Sequence, residues 1–205
     1  MNRINYQKEL DRVIAENQKI SRVPSLLLHV CCAPCSSYCL EYLSEHFAIT
    51  VYYYNPNISP ASEYQFRLSE EQRYIAARQF RHPVIITESR YIPQEFFDAV
   101  RGLEQEPEGG KRCEQCFRLR LYASACKAKE LACDYFTTTL TISPLKNAAL
   151  LNAIGQEMGE KCGVAWLPSD FKKREGYKRS IELSREYDLY RQNYCGCVFS
   201  KKDKV

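Results

Sequence analysis

Ser25-Leu26-Leu27-Leu28-His29-Val30 is a short apolar run that leads straight into Cys31-Cys32-Ala33-Pro34-Cys35. A run of this length without polar alternation predicts a strand buried on both faces, as inside a parallel sheet. Outward from it, residues 48–54 (AITVYYY), 83–87 (PVIIT), 135–139 and 164–167 predict four further strands. Helices are predicted over 36–45, 62–80, 93–103, 116–132, 144–158 and 177–187. Another, over 5–17, puts Tyr6, Leu10, Val13 and Ile14 on one face. Strands that alternate with helices in this way predict an α/β fold, a parallel sheet of about five strands joined by right-handed crossovers. Ligands of such sheets gather beyond the carboxyl ends of the strands. Cys31, Asn55, residues 140–146 and Ser169-Asp170 each follow a strand and are expected to share that edge.

A chain of 205 residues suits one α/β domain. Residues 1–24 read as an N-terminal helical extension, 25–197 as the catalytic domain and 198–205 as a tail. The first residues lack the apolar core of a signal peptide. No apolar run approaches the ~18 residues of a membrane span. A cytoplasmic protein without a membrane partner is the expectation. The net charge of +4 is only mildly basic, but residues 171–179 (FKKREGYKR) mix five basic residues with two aromatics. That mixture suits phosphate contact with base stacking, and equally a solvated helix start.

Eleven cysteines, an odd number in a chain without secretory features, argue against a disulfide framework and for metal or redox chemistry. Cys31, Cys32, Cys35 and Cys39 form one group, Cys113 and Cys116 a Cys-x-x-Cys pair, and Cys195-Gly196-Cys197 a third group. A Cys-x-x-Cys opening a helix places thiolates near free backbone N–H groups. Together with the Cys31-Cys32 pair it supplies four thiolates, a set that holds zinc or a [4Fe–4S] cluster. Structural zinc sites draw on two Cys-x-x-Cys knuckles, which a vicinal pair is not, so iron–sulfur is favoured. Glycine between Cys195 and Cys197 permits a tight turn, so these thiols suit a strained, easily reduced disulfide or a further metal-binding pair. Cys39, Cys126, Cys133 and Cys162 read as buried apolar fillers. His29 lies two residues before Cys31 and is a lesser site candidate; His46 and His82 read as surface or helix-end residues. There is no Walker A loop and no G-x-G-x-x-G, hence no sequence support for ATP or nicotinamide binding.

Five motifs coincide along the chain. They are His29-Val30-Cys31-Cys32-Ala33-Pro34-Cys35; Tyr54-Asn55-Pro56-Asn57-Ile58 with Glu63-Tyr64 and Arg67; and Arg112-Cys113 to Cys116 with Arg118. The others are Thr137-Thr138-Thr139-Leu140 with Ser143-Pro144 and Lys146-Asn147, and the run from Asp170-Phe171-Lys172-Lys173 through Tyr177 to Tyr194-Cys195-Gly196-Cys197. Over residues 26–197 the chain resembles the cobalamin-independent epoxyqueuosine reductases. The resemblance implies a Rossmann-like sheet and removal of the epoxide oxygen of epoxyqueuosine at the tRNA wobble position, giving queuosine and water. It implies a [4Fe–4S] cluster on Cys31, Cys32, Cys113 and Cys116, and redox-active Cys195 and Cys197. A second iron near Cys35, Cys195 and Cys197 is a further expectation, with Asp170, Tyr177 or Lys146 as proton donor. Expected tRNA contacts are Lys172, Lys173, Lys178 and Arg179 to phosphates, Tyr53, Tyr54 and Tyr177 to bases, and Asn55 and Lys146 at the substrate. An external electron donor is also needed.

Two other readings are weighed. An iron–sulfur tRNA sulfur transferase needs a Ser-Gly-Gly-x-Asp-Ser loop after the first strand, where this chain has His-Val-Cys-Cys-Ala-Pro-Cys. A non-catalytic zinc-stabilised RNA-binding module is separated by metal content.

Overall fold

The structure, a computed structural model, describes residues 4–201; the outermost parts of the extension and tail, residues 1–3 and 202–205, lie outside the described residues. The sheet consists of β1 (Ser25–Val30), β2 (Ala48–Tyr53), β3 (Val84–Glu88), β4 (Tyr135–Thr138) and β5 (Ala165–Trp166). All pairings are parallel, in the order β3-β2-β1-β4-β5. The expected α/β, Rossmann-like architecture is therefore present. β1 is central, and the strand order reverses beside it, so its carboxyl end lies at the crevice where such sheets bind ligands.

The unbroken apolar run of β1 has a simple cause. Leu26, Leu28 and Val30 enter one core layer; Leu27 enters the other, followed by Cys31 and Cys32. The first layer is covered by α1 (Tyr6–Lys19), α2 (Ala33–Leu43), α3 (Ala61–Ala77) and α7 (Gly176–Glu186). The second is covered by α5 (Lys111–Glu130) and α6 (Ala148–Cys162), with α4 (Pro93–Ala99) packed against α5. The N-terminal helix belongs to the core: Leu10 and Ile14 are buried, and Asn17 Nδ2 donates to the Tyr135 hydroxyl at 3.2 Å. Gly155 of α6 lies flat on Trp166, where a Cβ would come within 2.4 Å of the indole.

Helix starts near the site differ from expectation. α5 begins at Lys111, not Cys116, because Gly109-Gly110 break the chain and Arg112 Nη1 folds back onto the carbonyls of Glu104 and Glu106. Cys113 and Cys116 therefore occupy the first two turns. α6 begins at Ala148, not 144, because the Asn147 side chain accepts from Ala149 and Leu150 N–H and caps it. Residues 144–147 are thereby left outside the helix, with Lys146 in the loop before α6, and Thr139–Ile142 form a short 3-10 helix after β4. No described helix is long and apolar enough to cross a membrane.

Candidate metal and redox site

Val30 hands the chain from β1 to Cys31 and Cys32, and α2 opens at Ala33 with Pro34 in its first turn. This turn brings Cys35 back onto its neighbours: the sulfurs of Cys31, Cys32 and Cys35 all lie within 4.8 Å of one another. Hydrogen bonds from Cys32 and Cys35 hold Cys31 well below the usual thiol range. The hydrogen bond to Cys31 leaves Cys32 pushed up to about 12, and Cys35 is raised for the same reason. The trio thus accepts one negative charge readily and resists more unless a cation binds.

Beside it opens a cleft lined by Cys113, Cys116, Cys195, Cys197 and Lys146. Cys116 is buried and pushed up to about 12 by desolvation, against the pull of Arg120. Burial pushes Cys197 up to about 11. Two cations join the halves. Burial opposes the charge on both, but neighbouring cysteine sulfurs hold both above their usual range: Cys116, Cys31 and Cys195 for Arg120, and Cys195, Cys31 and Cys35 for Lys146.

The Cys195-Gly196-Cys197 turn is docked rather than loose. Gly196 has φ 102°, a conformation that favours glycine, and a Cβ would meet Arg67 and Ile58 at 3.0 Å. Ser59 N–H donates to Gly196 O at 2.9 Å, and Arg67 Nη1 donates to Cys195 O at 3.3 Å. Arg67 is buried and paired with Glu63 at 2.8 Å. Gln192, on the same arm, hydrogen-bonds Cys32, and its Oε1 is buried without a partner.

The donor set fits a thiolate-bound centre. A single tetrahedral ion with metal–sulfur bonds of about 2.3 Å needs sulfurs within roughly 4 Å of one another, as the trio nearly has. An iron–sulfur cube spaces its ligands more widely because each thiolate takes a different iron. Cys113 and Cys116 line the cleft with Cys195 and Cys197, and do not join the close group of Cys31, Cys32 and Cys35.

Residues absent from the sequence reading complete the site. Arg120 lies one helical turn after Cys116 on the same face of α5, and that spacing was its only sequence signal. Its Nη2 donates to Asn55 Oδ1 at 2.6 Å and its Nε to His29 Nε2 at 3.3 Å. His29 Nδ1 lies 2.8 Å from Thr138 Oγ1, and its Nε2 also lies 3.2 Å from Tyr54 O, so the ring is held at both nitrogens. Burial first, then Arg120, holds His29 down to about 3, so it is a neutral support beneath the site. Asn55 is likewise engaged, donating to Val30 O at 2.8 Å.

Glu71 is fully buried. Ser36 Oγ lies 2.8 Å from Glu71 Oε2 and 3.1 Å from Ala33 O, two acceptors for one hydroxyl proton. Both contacts are satisfied when Glu71 is protonated and donates to Ser36, which donates to Ala33. Its Oε1 has no partner, and burial pushes the carboxyl up to about 8. The folded protein therefore keeps this proton over pH 4.5–8, a window in which the unfolded chain, with an ordinary glutamate carboxyl at 4.5, has lost it. Stability should fall as pH rises through that window, by an amount on the order of a few kcal/mol. Glu71→Gln should remove this slope and be the more stable form at pH 8. Urea titrations at pH 5 and pH 8 check it; an unchanged slope would refute a neutral Glu71.

Other predicted contacts sit as follows. Tyr53 is completely buried, and Tyr54 is buried, stacked on Tyr52 and donating to Glu95 at 2.6 Å. Arg179 is held by Glu41 at 2.9 Å, and Lys172 by Asp170 at 3.1 Å and Thr141 O at 2.9 Å. Asp170 thus has Lys172 as its ion-pair partner. Arg174 bonds Asp11 at 2.6 Å. Lys173, Tyr177 and Lys178 are exposed. The basic stretch is therefore largely an internal ion-pair network. Cys39 is buried as expected, but Cys126 is exposed and Cys133 and Cys162 are only half-buried, which corrects their reading as core fillers.

A parallel sheet with cysteines gathered from three distant segments at its carboxyl edge defines an α/β protein of metal or redox chemistry. The model of the family described as epoxyqueuosine reductase QueH matches residues 26–203. The epoxyqueuosine reductase QueH of Streptococcus pyogenes serotype M1 is 47% identical over 202 residues, spanning 98% of this chain and 79% of that protein. The one from Staphylococcus epidermidis is 43% identical, spanning 97% and 85%, and the one from Thermotoga maritima 37% identical, spanning 86% and 90%. The chain belongs to the epoxyqueuosine reductase QueH family.

Proposed function

We propose that this chain is a cytoplasmic oxidoreductase that reduces the epoxide of epoxyqueuosine in tRNA to give queuosine and water. The observation that supports it most is the Cys31, Cys32 and Cys35 group at the strand-order reversal, facing the charges of buried Arg120 and half-buried Lys146, with Cys113, Cys116, Cys195 and Cys197 lining a cleft that Lys146 also lines. Residues 25–197 form the catalytic domain in this reading.

Cys31, Cys32, Cys113 and Cys116 hold a [4Fe–4S] cluster, and Cys35 with Cys195 and Cys197 holds a second iron or works as a dithiol. When bound, the cluster supplies single electrons from an external donor and a second iron supplies a Lewis acid. The rest falls to this chain. Deoxygenation takes two electrons and two protons. Lys146, positively charged in the cleft wall, can donate a hydrogen bond or proton to the departing oxygen. Arg120 compensates thiolate charge and, through Asn55 and His29, locks the ends of β1 and β2 together. Asp170 acts through Lys172, which bonds Thr141 and Lys146 carbonyls and so positions the Lys146 loop. Asn55, Tyr54, Lys172 and Arg179, with their side chains already engaged, support the tRNA-facing surface from within, while exposed Lys173 and Tyr177 face the nucleic acid.

The test is direct. Anaerobically purified protein with a chemical reductant should convert epoxyqueuosine in tRNA into queuosine, read by nucleoside mass after digestion. Absence of conversion by cluster-loaded protein would reject the function. For the tRNA face, Lys173→Glu with Lys178→Glu should weaken tRNA binding several-fold and lower the salt slope by about 1 per lost phosphate contact. Unchanged binding across salt concentrations would reject the role of this segment.

A further inference from the structure

Cys126 and Cys162 take no part in the cysteine cleft, yet their sulfurs lie 3.1 Å apart. Cys126 is exposed in the C-terminal half of α5, and half-buried Cys162 is the last residue of α6. Arg118 of α5 pairs with Glu157 of α6 at 2.7 Å. From that pair to the two cysteines, both helices advance in the same direction. The sulfur pair therefore sits at the end remote from the cleft, with a helical rise of about 15 Å between Cys116 and Cys126.

The geometry there is held from both sides. Gly163, at φ 70°, ends α6 directly after Cys162, and Lys129 Nζ of α5 bonds Gly163 O at 3.3 Å. A disulfide needs sulfurs about 2.0 Å apart, so bond formation from the present 3.1 Å asks for an approach of about 1 Å. Tyr122 lies one turn before Cys126, and the Cys126 sulfur belongs to a solvent-exposed residue.

We propose that Cys126 and Cys162 form a reversible thiol–disulfide modification site that exchanges with low-molecular-weight disulfides, independently of the cleft. The Cys126 thiolate attacks one sulfur of the small disulfide; that S–S bond breaks and one small thiolate leaves. Cys162, deprotonated in turn, attacks the Cys126 sulfur, forms the Cys126–Cys162 bond and releases the second small thiolate. Two protein thiols are oxidised, one small disulfide is reduced to two thiols, and the two protons pass to the leaving thiolates. The product ties together α5 and α6, the helix that carries Cys113 and Cys116 and the one that follows Lys146. It does so without touching any residue of the cleft.

The test uses the anaerobic, cluster-loaded protein and glutathione disulfide. After exposure, free thiols are alkylated and the chain is digested without reduction for peptide mass mapping. The expected result is a cross-linked peptide pair carrying Cys126 and Cys162, loss of two free thiols outside the cleft, unchanged cluster absorbance, and reversal by dithiothreitol. Cys162→Ser should instead trap glutathione on Cys126. Glutathione persisting on wild-type Cys126 without a cross-link would overturn the proposal. So would a cross-link that forms only in denaturant, or no reaction at either cysteine.

Discussion

Cys31→Ser is expected to give folded, colourless protein with its cluster iron and sulfide lost and epoxyqueuosine reduction at background. Cys31 ends the central strand and is buried beside two other thiols. Its ionisation is favoured by hydrogen bonds from Cys32 and Cys35, so it is the first of the trio to offer a thiolate. Serine preserves the shape but is a poor ligand for iron, a hydroxyl being far harder to deprotonate than a thiol. Folding should survive, because the β1 core contacts come from Leu26, Leu27, Leu28 and Val30. Circular dichroism, iron content and the nucleoside assay read the three parts separately. Wild-type activity in a cluster-free Cys31→Ser protein would show that the thiol edge is not the reaction centre.

Cys195→Ser should separate the two halves of the site. Its turn is anchored by Ser59 and Arg67, outside the β1 and α5 segments that carry Cys31, Cys32, Cys113 and Cys116. Its sulfur nevertheless bears on Cys116, Arg120 and Lys146. Multiple turnover should be abolished while iron, sulfide and cluster absorbance stay at wild-type levels. Cys197→Ser should behave alike if the two thiols act as a pair. Full multiple turnover in either variant would remove the Cys-Gly-Cys turn from the chemistry. Loss of cluster in both would make it a structural clamp.

The sequence pattern carried the succession of strands well because β1, β2 and β4 are largely buried and flanked by helices of ordinary length. It carried the cleft's cysteines because vicinal and closely spaced thiols are rare outside metal and redox sites. It did not carry the start of α5, where Gly110 and the fold-back of Arg112 set the boundary through contacts with Glu104 and Glu106. Arg120 and Glu71 were hidden for another reason, as was the buried setting of Arg67. A charged residue on a helix reads as solvent-facing until its buried partners are known, and those partners are His29, Asn55, Ser36 and Glu63, mostly from distant segments. The basic stretch erred in the opposite sense: Arg174 and Arg179 look free in sequence but are paired with Asp11 and Glu41. Cys126 and Cys162 each look like an isolated thiol, and only the packing of α5 on α6 shows that they are neighbours.

Iron, zinc and acid-labile sulfide measured on anaerobically purified protein test the metal centre most directly. The expected result is brown protein with about four irons and four sulfides per chain, plus up to about one further iron. Colourless protein with stoichiometric zinc and no sulfide would contradict it.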